Sequence, residues 1–219
     1  MTDLFEPIIV DNFFSEPDRV REYALRAVNY YPSTVHMTGG KWPGRRSYFL
    51  PWINNSLFND CVNRLYDVLS LPADASVFFD ITLNYCVATD PKGVVHKDFA
   101  WSQPDHVGVV YLTPEPADNS GSILYQPTEA LLEMPRGPAY HDPANFDIKV
   151  QIENRYNRMV MYDPREFHNA DTYFGDTLDN ARLFIVFFMR INNMHDDGLQ
   201  ATVAKTAAAA KKISVPWFD

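Results

Sequence analysis

The sequence predicts an all-β core with flanking helices, built as an antiparallel sandwich or double-sheet jelly roll of the cupin type. Three observations carry this. Between residues 76 and 190, short runs rich in Val, Ile, Phe and Tyr alternate with clusters of Pro, Gly, Asn and Asp. Before residue 76 the apolar residues recur at helical spacing instead. A chain of 219 residues, 46% hydrophobic and 21% charged, is ordinary for one globular domain with a sizeable core.

The elements follow in order. Residues 7–10, PIIV, predict a short entry strand. Ser15-Glu16-Pro17-Asp18 reads as a helix start with a hydroxyl N-cap and an acid three residues on, and Val20, Tyr23, Ala24, Ala27 and Val28 give that helix one apolar face. A Gly- and Pro-rich loop runs over 38–46. A second helix is predicted over 56–69, where Leu57, Phe58, Cys61, Val62, Leu65 and Leu69 share a stripe that Pro72 ends. Strands are then predicted at 77–86, 94–98, 106–112, 122–125, 148–153, 158–162 and 183–189. The last, LFIVFFM, is apolar throughout, as a strand buried on both faces would be. Residues 199–212, rich in Ala and Lys, read as a C-terminal helix or a fraying tail. With no internal repeat or linker, the expectation is a single domain over 1–219: helical support to 75, a β-core over 76–190 and a C-terminal extension over 191–219.

Charge and cysteine usage narrow the function classes. A formal net charge of −9 argues against nucleic acid as the main partner, because phosphate binding runs on clustered Lys and Arg. Cys61 and Cys86 lack metal-like spacing and read as buried free thiols in a reducing cytoplasm. The opening MTDLFEPIIVDNFF has early acids and no basic or long apolar run, so no signal peptide is expected. No stretch is long and apolar enough to suggest a membrane span.

The chemistry is concentrated in His96-Lys97-Asp98, His168 and Arg182. Alternate strand residues share a face, so His96 and Asp98 can reach one metal ion while Lys97 turns away. Two imidazoles and a carboxylate are the facial set with which non-haem Fe(II) oxygenases leave coordination positions open. His-x-Asp alone is a weak signal, and taken alone it reads more simply as a surface pair. The ordered set of His96, Asp98, His168 and Arg182 is what raises it.

That order resembles the 2-oxoglutarate- and Fe(II)-dependent dioxygenases, in the branch similar to prolyl hydroxylases. The resemblance spans roughly residues 77 to 190, and the order of parts is more specific than any one motif. It implies a double-stranded β-helix fold. It implies His96, Asp98 and His168 as iron ligands, and Arg182 as partner of the distal carboxylate of the co-substrate 2-oxoglutarate. Leu83-Asn84-Tyr85 resembles the segment preceding His-x-Asp, which makes Tyr85 a candidate for a hydrogen bond to that carboxylate, with Tyr125 a second. VVYLTPEPADNSGSILYQP resembles the stretch in which a YLN-type strand meets a Gly-rich turn, here reduced to Ser120-Gly121-Ser122. Arg182 stands where prolyl hydroxylases often have Lys. The implied reaction uses O₂, releases succinate and CO₂, and hydroxylates a C–H bond.

Blander readings stand beside these. Arg182 also fits a structural salt bridge at a strand end, and Tyr85 a core tyrosine. Trp101, Arg46 and Arg165 are candidates for the substrate, with a barrel-mouth cap or surface arginine as the alternatives. His36, His106, His141 and His195 lack a partner at strand-matched spacing. The substrate expected is a peptidyl side chain, a free amino acid or a small metabolite. Two rivals remain: a cupin-like metalloenzyme without 2-oxoglutarate, which has no use for Arg182, and a non-catalytic barrel that only binds.

Overall fold

The computed structural model describes residues 4–36, 42–98, 104–133 and 137–192. Its elements are β1 (Ile8–Val10), α1 (Pro17–Arg26), β2 (Tyr31–Pro32), β3 (Arg45–Phe49), α2 (Leu50–Ile53), α3 (Asn55–Leu69), β4 (Val77–Cys86), β5 (His106–Tyr111), β6 (Ser122–Pro127), α4 (Glu129–Leu132), β7 (Phe146–Ile152), β8 (Met159–Tyr162), β9 (Phe167–Ala170) and β10 (Arg182–Ile191). Seven strands form a large antiparallel sheet in the order β1-β8-β5-β10-β4-β3-β2, and three form a smaller one in the order β7-β6-β9. A single antiparallel bridge between His96 and His168 adds the 94–98 segment to the free edge of β9. The two sheets face each other as a jelly roll.

Strand alternation divides the core. On β10, Leu183, Ile185, Phe187 and Met189 pack with Ile81 and Leu83 of β4 against Val20 and Ala24 of α1 and Leu57, Val62 and Leu65 of α3. Phe184 faces the other way, joining Val107, Val109, Tyr111, Val160 and Tyr162 against Leu124 and Ile152 of the small sheet. The strand expected to be buried on both faces is therefore buried by helices on one side and by the small sheet on the other. A third cluster, with Ile123, Tyr125, Leu131 and Phe146, covers the outer face of the small sheet.

The N-terminal segment is fastened by Asn157. Its side-chain oxygen accepts from the Phe14 N–H and its amide donates to the Phe14 carbonyl, both at 2.8 Å, while its own carbonyl accepts from Phe13 N–H at 2.9 Å. Asn157 adopts a left-handed conformation (φ 59°), which Asn tolerates better than branched residues.

Several local expectations are corrected. Ser15 does not cap α1. Glu16 occupies the N-cap without a capping hydrogen bond, Pro17 supplies the preset φ of the first turn, and Glu16 pairs instead with Arg19. α3 ends at Leu69 as expected, but the stop is Ser70 in the left-handed region rather than Pro72, and its start is capped by Asn54. β3 begins inside the expected loop, and residues 94–98 make one bridge rather than a ladder. The strand β9 at His168 was not expected as such. The C-terminal helix expected at 199–212 lies outside the described residues. Among those residues no helix is long and apolar enough to cross a membrane, and Cys61 and Cys86 are both buried and free.

Candidate functional site

The β9 bridge brings the two histidines together. His96 N–H donates to the His168 carbonyl at 3.1 Å, and His168 N–H returns a bond to His96 at 2.9 Å. Residues so paired lie directly opposite with side chains on one face, and the imidazole centroids are 4.3 Å apart. Asp98 is two residues on, so it keeps that face, and its N–H is held by the Pro164 carbonyl at 3.0 Å. Its two carboxylate oxygens lie 3.5 Å from His96 Nε2 and 3.2 Å from His168 Nε2. One donor atom from each of the three residues lies within 4.8 Å of the others. Lys97 turns away as expected, its ammonium 4.1 Å from the Phe167 ring centre.

Both imidazoles are oriented alike. His96 Nδ1 lies 2.9 Å from the Val94 carbonyl and His168 Nδ1 lies 3.1 Å from the Glu166 carbonyl. A carbonyl only accepts, so each Nδ1 carries a hydrogen and each Nε2 faces the shared centre, where His168 Nε2 holds a second hydrogen toward Asp98 that a metal ion would displace. Burial lowers the His96 pKa, and His168 beside it adds to the effect. Burial works against the Asp98 carboxylate and the His168 imidazolium, but their mutual charge and hydrogen bond prevail, lowering the first pKa and raising the second. Two neutral-capable imidazoles and one anionic carboxylate form a donor set that fits Fe(II) at three coordination positions.

The three residues line a cavity of about 160 Å³ between the sheets, shared with Arg182, Arg46 and Asn84. Arg182, 2% exposed, donates from Nε to the Ser120 carbonyl at 2.8 Å and from Nη2 to that of Gly121 at 3.1 Å. Its guanidinium lies 4.4 Å from the centre of the Phe184 ring and 5.3 Å from that of Tyr111. Among the described residues no carboxylate forms an ion pair with it, so the salt-bridge reading has no support there. The Tyr111 hydroxyl is 2.8 Å from Ser122 Oγ, which also faces the cavity.

Two tyrosine expectations are corrected by strand parity. Tyr85 lies on the face of β4 opposite Asn84 and Cys86; its ring stands edge-on to Tyr30 at 5.0 Å, on the helical side. Tyr125 lies on the outer face of β6, against Phe146 at 5.7 Å. Neither reaches the cavity. Arg165 is turned onto Asp163, with Nε 2.8 Å from Oδ1, and does not line it. Trp101 lies outside the described residues, as does His195. His36 is bonded to the Ser47 carbonyl and His141 to that of Val95, while His106 lies tilted against Phe5; none joins the metal-type cluster.

Arg46 does enter the cavity. Sequence reasoning missed its neighbours there: Asn84, Trp42, Ser122, Tyr162 and Asn169. Counting by twos along β4 from an inward Cys86 would have found Asn84. Tyr162 lies against His168, ring centres 4.8 Å apart, and Asn169 is fixed by the Gly93 carbonyl at 2.8 Å.

Asp80 shares the Asn84 face of β4, and burial pushes its carboxyl up to about 6, with Arg46 drawing it back. The folded chain thus holds this proton more tightly than the unfolded chain. The associated stability is full below about pH 4 and is lost as pH rises through about 6. Asp80→Asn is therefore expected to be more stable than the parent by about 2–3 kcal/mol near pH 7 and to converge with it near pH 4. Urea melts at the two pH values measure this; a constant difference would contradict it.

No protein-family model matches the sequence, and no curated protein matches it. Solved structures do. HygX from Streptomyces hygroscopicus, with nickel and 2-oxoglutarate bound, superposes with a TM-score of 0.58 at 10% identity, over 85% of this chain and 83% of that one. EctD from S. alaskensis, with 2-oxoglutarate and 5-hydroxyectoine, gives 0.55 at 16% identity over 84% and 72%. The non-heme alpha ketoglutarate dependent epimerase SnoN from nogalamycin biosynthesis gives 0.53 at 15% identity over 84% and 76%. At these identities the likeness establishes the fold: the chain has the jelly-roll core of the 2-oxoglutarate oxygenase structures.

Proposed function

We propose that this chain is a 2-oxoglutarate- and Fe(II)-dependent oxygenase that hydroxylates a C–H bond of a small molecule. The observation that carries the reading is one cavity holding both the converging His96, Asp98 and His168 donors and a buried Arg182 with no carboxylate partner among the described residues. His96 and His168 would hold the metal through Nε2, and Asp98 through a carboxylate oxygen. Bound there, Fe(II) with 2-oxoglutarate and O₂ supplies the oxidising chemistry, releasing succinate and CO₂.

The chain's own residues bind and shield. Arg182 receives the distal carboxylate of 2-oxoglutarate, which would otherwise be buried unpaired at a cost of several kcal/mol. A guanidinium answers with a planar, permanently charged fork. Tyr111 and Ser122, beside Arg182, replace Tyr85 and Tyr125 as the hydroxyls closest to that role. Phe184, Val186 and Phe188 give the cavity an apolar wall that excludes water from the reacting centre. A small-molecule substrate is favoured over a peptide by the size of the cavity and by the neighbours: HygX has been solved with hygromycin B, and EctD with 5-hydroxyectoine. SnoN, an epimerase, marks the alternative outcome on this fold.

The test is anaerobic calorimetry of metal-free protein with Fe(II) and 2-oxoglutarate, alongside His168→Ala. Metal-dependent binding of 2-oxoglutarate that vanishes in the variant is the expected result. Metal binding without 2-oxoglutarate binding would instead mark the cupin-like metalloenzyme, and no metal binding a barrel that only recognises a ligand.

A further inference from the structure

We infer that Arg46 is the anchor for a carboxylate on the oxidised substrate, which makes the substrate class a small carboxylic acid. The inference rests on the oxygenase reading for the word substrate, but its geometry is independent of it. Arg46 pairs with Asn84 across β3 and β4, and its Nε donates to Asn84 Oδ1 at 2.7 Å. Asn84 is itself fixed in orientation, because its amide donates to both the Thr82 carbonyl and Thr82 Oγ1 at 3.0 Å. Its oxygen can therefore only face Arg46. On the other side the Arg46 guanidinium lies 4.2 Å from the centre of the Trp42 ring. A relay of Thr82, Asn84 and Arg46 on one side and an indole face on the other thus set the plane of the guanidinium before any ligand arrives.

What this holding leaves over is the outer edge of the fork. Among the described residues the two terminal nitrogens make no hydrogen bond, and no carboxylate forms an ion pair with them. Asp80 and Asp98 act on Arg46 only through their charge. With Fe(II), Asp98, Arg182 and dianionic 2-oxoglutarate all in place, their formal charges cancel. Among the described residues lining the cavity, Arg46 is then the cation without an ion-pair partner, Asp80 acting on it only through its charge. One flat fork with two parallel N–H donors matches a planar monoanionic carboxylate. A phosphate dianion would bring an excess negative charge beside Asp80 and Asp98 with a single cation to answer it. Because Arg46 and the three converging donors line the same cavity, a carboxylate on Arg46 and the carbon to be oxidised belong to one small molecule.

The experiment uses protein loaded with Zn(II), which is redox-inert and diamagnetic, and saturated with 2-oxoglutarate so that Arg182 is occupied. Pentanoate, pentanamide and pentyl phosphate are titrated in turn. Binding is followed by ligand-observed saturation transfer and by the indole N–H resonance of Trp42, assigned with Trp42→Phe. The expected result is saturable pentanoate binding that moves the Trp42 resonance, with the amide weaker by roughly tenfold or more. Arg46→Gln should weaken pentanoate by a similar factor while the calorimetric affinities for metal and 2-oxoglutarate stay at parent values. Arg46→Lys, which keeps the charge and loses the fork, should fall between.

Absence of saturable pentanoate binding, equal binding of the amide, preference for the phosphate, or parent-like pentanoate binding in Arg46→Gln would each overturn the inference. A 2-oxoglutarate affinity that falls in Arg46→Gln would also overturn it, by giving Arg46 to the co-substrate instead. Failure of the oxygenase reading is separable: the protein would then not bind metal and 2-oxoglutarate in calorimetry, while the pentanoate titration on metal-free protein would still report on Arg46.

Discussion

Arg182→Gln is expected to raise the Kd for 2-oxoglutarate by roughly a hundredfold or more while Fe(II) affinity is unchanged. The side chain is 2% exposed, so whatever it pairs with is also shielded from water. Breaking a buried charge pair from one side costs about 3–5 kcal/mol, because the other charge is left without compensation. At 1.4 kcal/mol per factor of ten, a hundredfold loss is at the low end of that range. The proposed metal donors are separate side chains on β9 and the 94–98 segment, which is why metal affinity should stay. Arg182→Lys, with the charge but no fork, should recover part of the loss. Anaerobic titration of 2-oxoglutarate into metal-loaded protein measures all three. An unchanged Kd would remove the co-substrate from Arg182 and favour the cupin-like rival.

Gly121→Ala is expected to cost more than about 3 kcal/mol of stability. A Cβ there would fall directly on the Ile152 carbonyl oxygen and lie 2.8 Å from the Asn154 N–H nitrogen. Both neighbours are backbone, where β6 and β7 come together, so nothing flexible can give way. The Gly121 carbonyl also accepts from Arg182 Nη2 and from the Asp171 N–H, the latter at 3.2 Å. The same substitution should therefore weaken 2-oxoglutarate binding in whatever fraction remains folded. Urea melts followed by tryptophan fluorescence test the first effect. A loss under about 1 kcal/mol would show that the turn relaxes freely.

The metal-type trio was legible because it uses only local rules. A spacing of two puts His96 and Asp98 on one face of any extended segment, and the downstream order supplied His168 and Arg182. The tyrosines failed because inward or outward on β4 and β6 depends on register, which the sequence does not display. In the structure Arg182 pairs with Cys86 and Leu183 with Tyr85, so Tyr85 shares the helix-facing side with Leu183. β9 escaped notice because Phe-His-Asn-Ala contains no β-branched residue, and its extension is enforced by pairing to β6. Arg46 was singled out for its charge alone. What fixes it in the cavity is Asn84, placed beside it by a strand pairing across nearly forty positions of chain. The long helix and the long strands were read well, since fifteen residues of α3 and ten of β4 leave little room for ambiguity.

The place of β10 has a consequence for how the molecule comes into being. It is the last strand of the described core, yet it lies in the middle of the large sheet, between β4 and β5. A nascent chain that has not yet made residues 182–191 holds two half-sheets, each with an unpaired apolar edge. Such edges are templates for pairing with other chains. His96, Asp98 and His168 are all synthesised before that gap closes, so a half-built chain presents the proposed metal donors without the arginine or the wall that would enclose a ligand. A chain cut before Arg182 is expected to aggregate rather than persist as a smaller barrel.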